Sequence, residues 1–122
     1  MRVGIDLVEI DSVQEAVTSH GQRYLDRVYT PREQRNCAAD PKLLALRFAA
    51  KEAVLKILEP TPGDGVPWDS IDVAADRGGE VRLSGPAREL ARRRALGPVH
   101  VSLAHAGGQA MAFALAPAGV AA

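Results

Sequence analysis

Apolar and polar positions alternate at the start of the chain, where Val3, Ile5 and Leu7 stand among Arg2, Gly4 and Asp6. That two-residue period predicts a strand over residues 2–8. From about residue 11 to 28 the spacing turns helical, with a break near "SHGQ" (19–22). "TPREQRNCAA" (30–39) opens with Thr30 as N-cap, Pro31 at the first helical position and Glu33 completing a capping box. Asp40-Pro41 repeats the signal and starts a long helix to about residue 58. "EPTPGDGVP" (59–67) has the Pro/Gly density of a loop. "WDSIDVAAD" and "EVRLS" flank "RGG" and predict a hairpin. Pro86 opens a short Arg-rich helix to about residue 96. "VHVSLAH" (99–105) and "QAMAFALA" (109–116) alternate well, and "AGG" between them predicts a second hairpin. The tail "PAGVAA" is expected to fray. The order of elements gives one α+β domain over residues 1–122, with antiparallel strands towards its C-terminal end.

The long helix poses a problem of charge. Wound at about 100° per residue, it carries Leu43, Leu46, Ala50, Val54 and Ile57 on one wide apolar face. Glu52 lies opposite, yet its neighbours there are Ala45, Phe48, Ala49 and Leu55, with Lys51 and Lys56 as charged company. A helix apolar all round is normally buried, and a buried carboxylate is costly unless paired or bound to a metal.

Composition changes this picture little. At 47% apolar and 25% charged the chain is ordinary for a globular protein, and aromatics at 4% leave the core to Leu, Val, Ile and Ala. Fifteen basic and fifteen acidic residues balance, so no net field draws the chain to nucleic acid or a membrane. Basic residues do cluster, at Arg23, Arg27, Arg32 and Arg35 and again at Arg88, Arg92, Arg93 and Arg94. Such patches suit an acidic protein or a phosphorylated ligand, or equally a solvated face. The single cysteine, Cys37, excludes an internal disulfide framework and reads as a packing residue. The acid-bearing "MRVGIDLVEI" reads as neither signal peptide nor membrane span, and a cytoplasmic location is expected.

Asp6 repeats the puzzle of Glu52, because strand interiors disfavour Asp. Each carboxylate either pairs with a nearby Arg or Lys, or both converge on a divalent cation such as Mg²⁺, which two carboxylates and open positions commonly hold. Lys56, one turn after Glu52, is a structural i,i+4 partner or a point charge for a phosphate. Arg47 and Lys51 share another helix edge and repel mildly unless they share an anion, which suits a phosphate-rich ligand, or equally a solvated edge. His105 ends a strand at a Gly-Gly turn, where an imidazole can donate to a phosphate or move a proton. His100 and His20 read as structural. No P-loop, dinucleotide fingerprint, nucleophile elbow or zinc spacing is present.

Three blocks, "GIDLVEI" (4–10), "RFAAKEAVLKIL" (47–58) and "VHVSLAHAGGQAMAFAL" (99–115), together resemble the holo-acyl-carrier-protein synthases, the small stand-alone 4'-phosphopantetheinyl transferases. The resemblance implies a small domain with an antiparallel sheet packed on a long central helix. It implies transfer of 4'-phosphopantetheine from coenzyme A to a serine of an apo carrier protein, releasing adenosine 3',5'-bisphosphate. Asp6 and Glu52 match the family's Mg²⁺ ligands, Lys56 the lysine that meets the phosphates, and His105 the histidine beside the coenzyme. Lys42, Arg47 and Lys51 are expected to join Lys56 and His105 in holding the coenzyme. A homotrimer with active sites between subunits is also implied.

The chain departs from the pattern at three places. Ser12 stands where many relatives carry a carrier-docking arginine, which moves that duty to Arg23 and Arg27. Lys42 is the only base in "DPKLLAL", where relatives often hold a basic stretch, and Ala104 replaces a common hydroxyl. These departures support an alternative of another class, a non-catalytic module that binds coenzyme A or a carrier domain.

Overall fold

In the computed structural model, residues 1–119 are described, and they form an α+β fold built around one helix. Strand β1 (Arg2–Glu9) leads into α1 (Ile10–His20) and α2 (Gln22–Val28), which are separated by Gly21 at φ 53°. Helix α3 (Pro31–Cys37) begins with the expected capping box. Thr30 Oγ1 accepts from the Glu33 amide at 3.1 Å, and a Glu33 carboxylate oxygen accepts from the Thr30 amide at 2.8 Å. Asp40 likewise caps α4 (Pro41–Leu58) by accepting from the Lys42 amide at 2.9 Å. At its other end, Arg2 donates to the Ile57 carbonyl and Arg94 to those of Leu58 and Glu59. Guanidinium groups thus satisfy the last turn's carbonyls, where positive charge is favoured.

Beyond α4 come β2 (Ile71–Asp72), β3 (Gly78–Glu80), β4 (Arg82–Leu83), α5 (Gly85–Arg93), β5 (His100–Ala106) and β6 (Gln109–Ala116). The main sheet is antiparallel in the order β1-β6-β5-β3, with Arg2 opposite Ala116 and Glu9 opposite Gln109. The β5–β6 hairpin closes through Gly107 and Gly108, both at positive φ (57° and 79°), as a two-residue turn requires.

The hairpin expected across residues 68–84 forms only in part. Ile71 and Asp72 do pair with Leu83 and Arg82, but Trp68–Ser70 make a single 3₁₀ turn rather than strand. The supposed "RGG" turn instead supplies β3 to the main sheet, paired with β5. A methyl group on Gly78 would overlap the Val101 carbonyl, so the glycine is what lets this edge approach. Helix α5 also stops at Arg93, short of residue 96. The tail is held as far as Gly119, whose amide donates to the Ala95 carbonyl at 2.7 Å, and the expected fraying of residues 120–122 lies outside the described residues.

Alternation in the sheet has a phase set by how closely α4 packs. Ala110, Ala112, Ala114 and Ala116 of β6 and Gly4 of β1 face the helix and are buried. A methyl on Gly4 would collide with the Ala53 carbonyl. Only the smallest residues fit there, so Val3, Ile5, Leu7, Met111 and Phe113 face outward at 39–56% exposure.

Candidate active site

That close approach brings the first strand's Asp6 beside the helix. Asp6 and Gly4 share the inward face of β1, and the β carbon that Gly4 lacks would lie 3.3 Å from that of Lys56. Lys56 Nζ donates to the Ile5 carbonyl at 2.6 Å and to Asp6 Oδ1 at 3.0 Å. Glu52, one turn earlier, is half-buried and has no ion pair among the described residues. Burial pushes its carboxyl above the ordinary glutamate value, the charge of Asp6 pushes the same way, and Lys56 offsets part of this. Asp6, Glu52 and Lys56 therefore form one cluster with two negative charges and one positive. From Phe48 to the end of α4, Phe48, Glu52, Leu55 and Lys56 are the partly or fully exposed positions, so the cluster opens through a narrow stripe of a mostly buried helix.

His105 and Lys42 meet elsewhere. With Leu43, Leu46, Asp76, Arg77, Leu103 and Ala104 they line a cleft of about 470 Å³ at the other end of α4. Asp6 is opposite Ala112, which is opposite Leu103, and His105 lies two residues further along β5. Two strand spacings and two residues of rise separate Asp6 from His105 by about 12 Å between Cα atoms. Helix α4 packs over β1 and β6 between them. One chain therefore presents two separate clusters, Asp6 and Glu52 with Lys56, and His105 with Lys42 in the cleft.

Two expected coenzyme ligands are not available as such. Lys51 is 0% exposed, and its ammonium is held by Glu33 at 2.7 Å and by the carbonyls of Trp68 and Ile71. Contrary to the expectation from its place on a helix edge, Lys51 is an interior ion-pair residue with no surface to offer the coenzyme. Arg47 is buried too, donating to the Asp76 carboxylate and the Ala74 carbonyl. It reaches the cleft only through Asp76, itself 55% exposed at the rim. The two cations do not share an anion.

Arg77 escaped sequence reasoning because its "RGG" context read as a turn, yet it adds an exposed guanidinium to the cleft that holds Lys42 and His105. Arg23 and Arg27 are exposed on α2 and line a groove with His20 and Tyr24. Ser12 is exposed on α1, and Ala104 lies in the cleft. Among the described residues no helix is long and apolar enough to cross a membrane.

Comparison with known proteins places this architecture. The family model of the 4'-phosphopantetheinyl transferase superfamily matches residues 2–114. A holo-acyl-carrier-protein synthase of Herpetosiphon aurantiacus is 41% identical over 118 residues, covering 90% of this chain and 93% of the relative. The solved Helicobacter pylori holo-acyl-carrier-protein synthase, in complex with coenzyme A, superposes with a TM-score of 0.82 at 24% identity, over 95% of this chain and all (100%) of that one, and shows the shared fold. A Chronobacterium ammoniagenes synthase–coenzyme A complex gives a TM-score of 0.77 at 30% identity, covering 95% and 96% of the two chains. The chain belongs to the 4'-phosphopantetheinyl transferase superfamily, as an enzyme of its holo-acyl-carrier-protein synthase branch.

Proposed function

We propose that the chain acts as one domain that transfers 4'-phosphopantetheine from coenzyme A to a serine hydroxyl of an apo carrier protein. The leaving group is adenosine 3',5'-bisphosphate, and the reaction depends on Mg²⁺. The observation that carries this reading is the carboxylate pair in charge excess: Asp6 and Glu52 lie close enough for the charge of one to act on the other, and Lys56, ion-paired with Asp6, is the cation beside both. Hard carboxylate oxygens in charge excess, one of them partly desolvated, fit a hard divalent cation whose other positions are open to phosphate and water.

Asp6 from β1 and Glu52 from α4 would hold the ion. When bound, Mg²⁺ offsets the charge that develops on the pyrophosphate as the phosphorus–oxygen bond to the leaving group breaks. Lys56, half-exposed at the same opening, lies where an ammonium can hold a phosphate oxygen as a point charge. Lys42, Arg77 and His105 line a cleft suited to the anionic nucleotide end of coenzyme A, with His105 as a positioning group. Arg47 supports that cleft by fixing Asp76 at its rim.

The proposed assembly is a homotrimer with active sites between neighbouring copies. The outward apolar face of β1 and β6 supports that arrangement, since exposed apolar patches of this kind mark interaction surfaces. The groove at Arg23 and Arg27 is the proposed docking place of an acidic carrier helix. A cytoplasmic setting, where coenzyme A and carrier proteins meet, completes the reading.

The test is the intact mass of an apo carrier protein after incubation with this enzyme, coenzyme A and Mg²⁺, beside a chelated sample. A phosphopantetheine-sized gain that vanishes with chelator, and with Glu52→Ala, is expected. A gain that survives chelation would remove the metal from the reaction. No gain on fatty-acid, polyketide or peptide-type carriers would overturn the transfer itself.

A further inference from the structure

Lys56 stands one helical turn after Glu52, yet its ammonium turns to β1. Two of its three donors are taken there, by the Ile5 carbonyl at 2.6 Å and by Asp6 Oδ1 at 3.0 Å. Glu52 is left with only the more distant influence of that charge. The two partners of the Lys56–Asp6 contact differ in freedom. Asp6 is anchored in the middle of a strand paired along its whole length with β6, its side chain 18% exposed, whereas Lys56 is 53% exposed at the end of a four-carbon stem.

We infer that Lys56 is a resident counter-ion of Asp6, which it releases when a divalent cation binds, so that its ammonium becomes free for the coenzyme's phosphates only in the metal-loaded enzyme. The inference rests on the proposed reading of Asp6 and Glu52 as metal ligands, and it adds an order of events to that reading. A dication and an ammonium repel when both sit on one carboxylate. The strand cannot yield without breaking its ladder, so Lys56 is the group that moves. Before the metal arrives, the ammonium spares Asp6 an uncompensated, largely desolvated charge. Afterwards the same group, displaced outward along the exposed stripe of α4, faces the solvent side from which a pyrophosphate must approach. Coenzyme A therefore meets a full set of positive charge only once the ion is in place, and metal-free enzyme binds it weakly.

Two measurements test this on the full chain. The first is Mn²⁺ binding, followed by the electron paramagnetic resonance signal of the free ion. Removal of the competitor in Lys56→Met is expected to tighten Mn²⁺ binding at least tenfold, with the far-ultraviolet circular dichroism unchanged because the side chain is half-exposed. The second separates displacement from simple repulsion. In ¹⁵N-lysine-labelled wild type, the Lys56 ammonium resonance should be protected from solvent exchange without metal and lose that protection on saturation with Mg²⁺. Equal Mn²⁺ affinity in wild type and Lys56→Met, or an ammonium signal unchanged by bound Mg²⁺, would overturn the exchange of places while leaving the carboxylates as metal ligands. A wild type that takes up no Mn²⁺ would instead remove the metal reading, and the inference with it.

Discussion

The ammonium of Lys51 lies 2.7 Å from a carboxylate oxygen of Glu33, and neither side chain has exposed surface. Glu33 also accepts from the amides of Thr30 and Val73, and Lys51 donates to the carbonyls of Trp68 and Ile71. The pair thereby joins α3, α4 and the start of β2 inside the protein. Burial draws the lysine's affinity for its proton down, and Glu33 draws it back up. Removing one partner strands the other, which for a buried pair costs about 3–5 kcal/mol. Lys51→Met should therefore lower the urea midpoint steeply, and adding Glu33→Gln should recover part of the loss. A double variant no more stable than Lys51→Met would show that the two charges are not coupled.

Gly4→Ala is expected to destabilise the fold by about 1–3 kcal/mol, the usual range for overpacking a tight contact. The obstacle is the Ala53 carbonyl, a backbone atom of α4 that no side-chain rotation can move aside. The strand must back away instead and carry Asp6 from Glu52. Transfer by Gly4→Ala should thus fall at temperatures where circular dichroism still reports folded protein. Full activity in the folded variant would mean that the two carboxylates tolerate a looser sheet.

The outward face of the sheet gives a prediction about assembly. Ile5 lies opposite Phe113 in the β1–β6 ladder, and both are exposed in the single chain. Phe113→Glu should leave the fold intact, since the site faces away from α4, and should yield monomers in sedimentation equilibrium if the wild type is the proposed trimer. Transfer should be lost in step if the active sites lie between copies. A variant that sediments like wild type would place the contact elsewhere.

Loop 59–67 offers a pH-dependent element away from the site. Asp64 accepts from the Thr61 amide and hydroxyl and from Arg93, and these bonds hold its carboxyl down at about 2. Because the folded value lies below the ordinary 3.8, the aspartate stabilises the fold above that ordinary value and loses the effect as pH falls towards about 2. Asp64→Asn should therefore melt below wild type at pH 7, and the gap in Tm should close as the acid range is crossed. A gap that stays constant to the bottom of that range would assign the effect to shape rather than charge.

Local signals made most of the helices legible before the structure. Thr30, Pro31 and Glu33, and again Asp40 and Pro41, mark helix starts through contacts within three residues. Alternation likewise revealed β1, β5 and β6. It could not reveal which face was buried, because alanine became the core residue only through the nearness of α4. Lys51 and Arg47 failed for a related reason. Their partners Glu33, Asp76 and the carbonyls of β2 and its approach are distant in sequence, and nothing local marks a charged position as interior. Asp6, Glu52 and Lys56 could be singled out because each breaks a pattern within a few residues of itself. The distance between them and His105 depends on strand order, which no single strand encodes.

The pairing of β1 with β6 joins nearly the first and last described segments of the chain, residue 2 against residue 116. During synthesis, α4 can form with Glu52 and Lys56 in place well before β6 has left the ribosome. The backbone ladder that holds Asp6 cannot form until then, because β1 lies at the sheet's edge and has β6 as its neighbour in the ladder. A nascent chain paused before residue 109 thus carries half of the carboxylate pair and no defined position for the other half. The two carboxylates are brought to their final places only when the last strand of the sheet pairs.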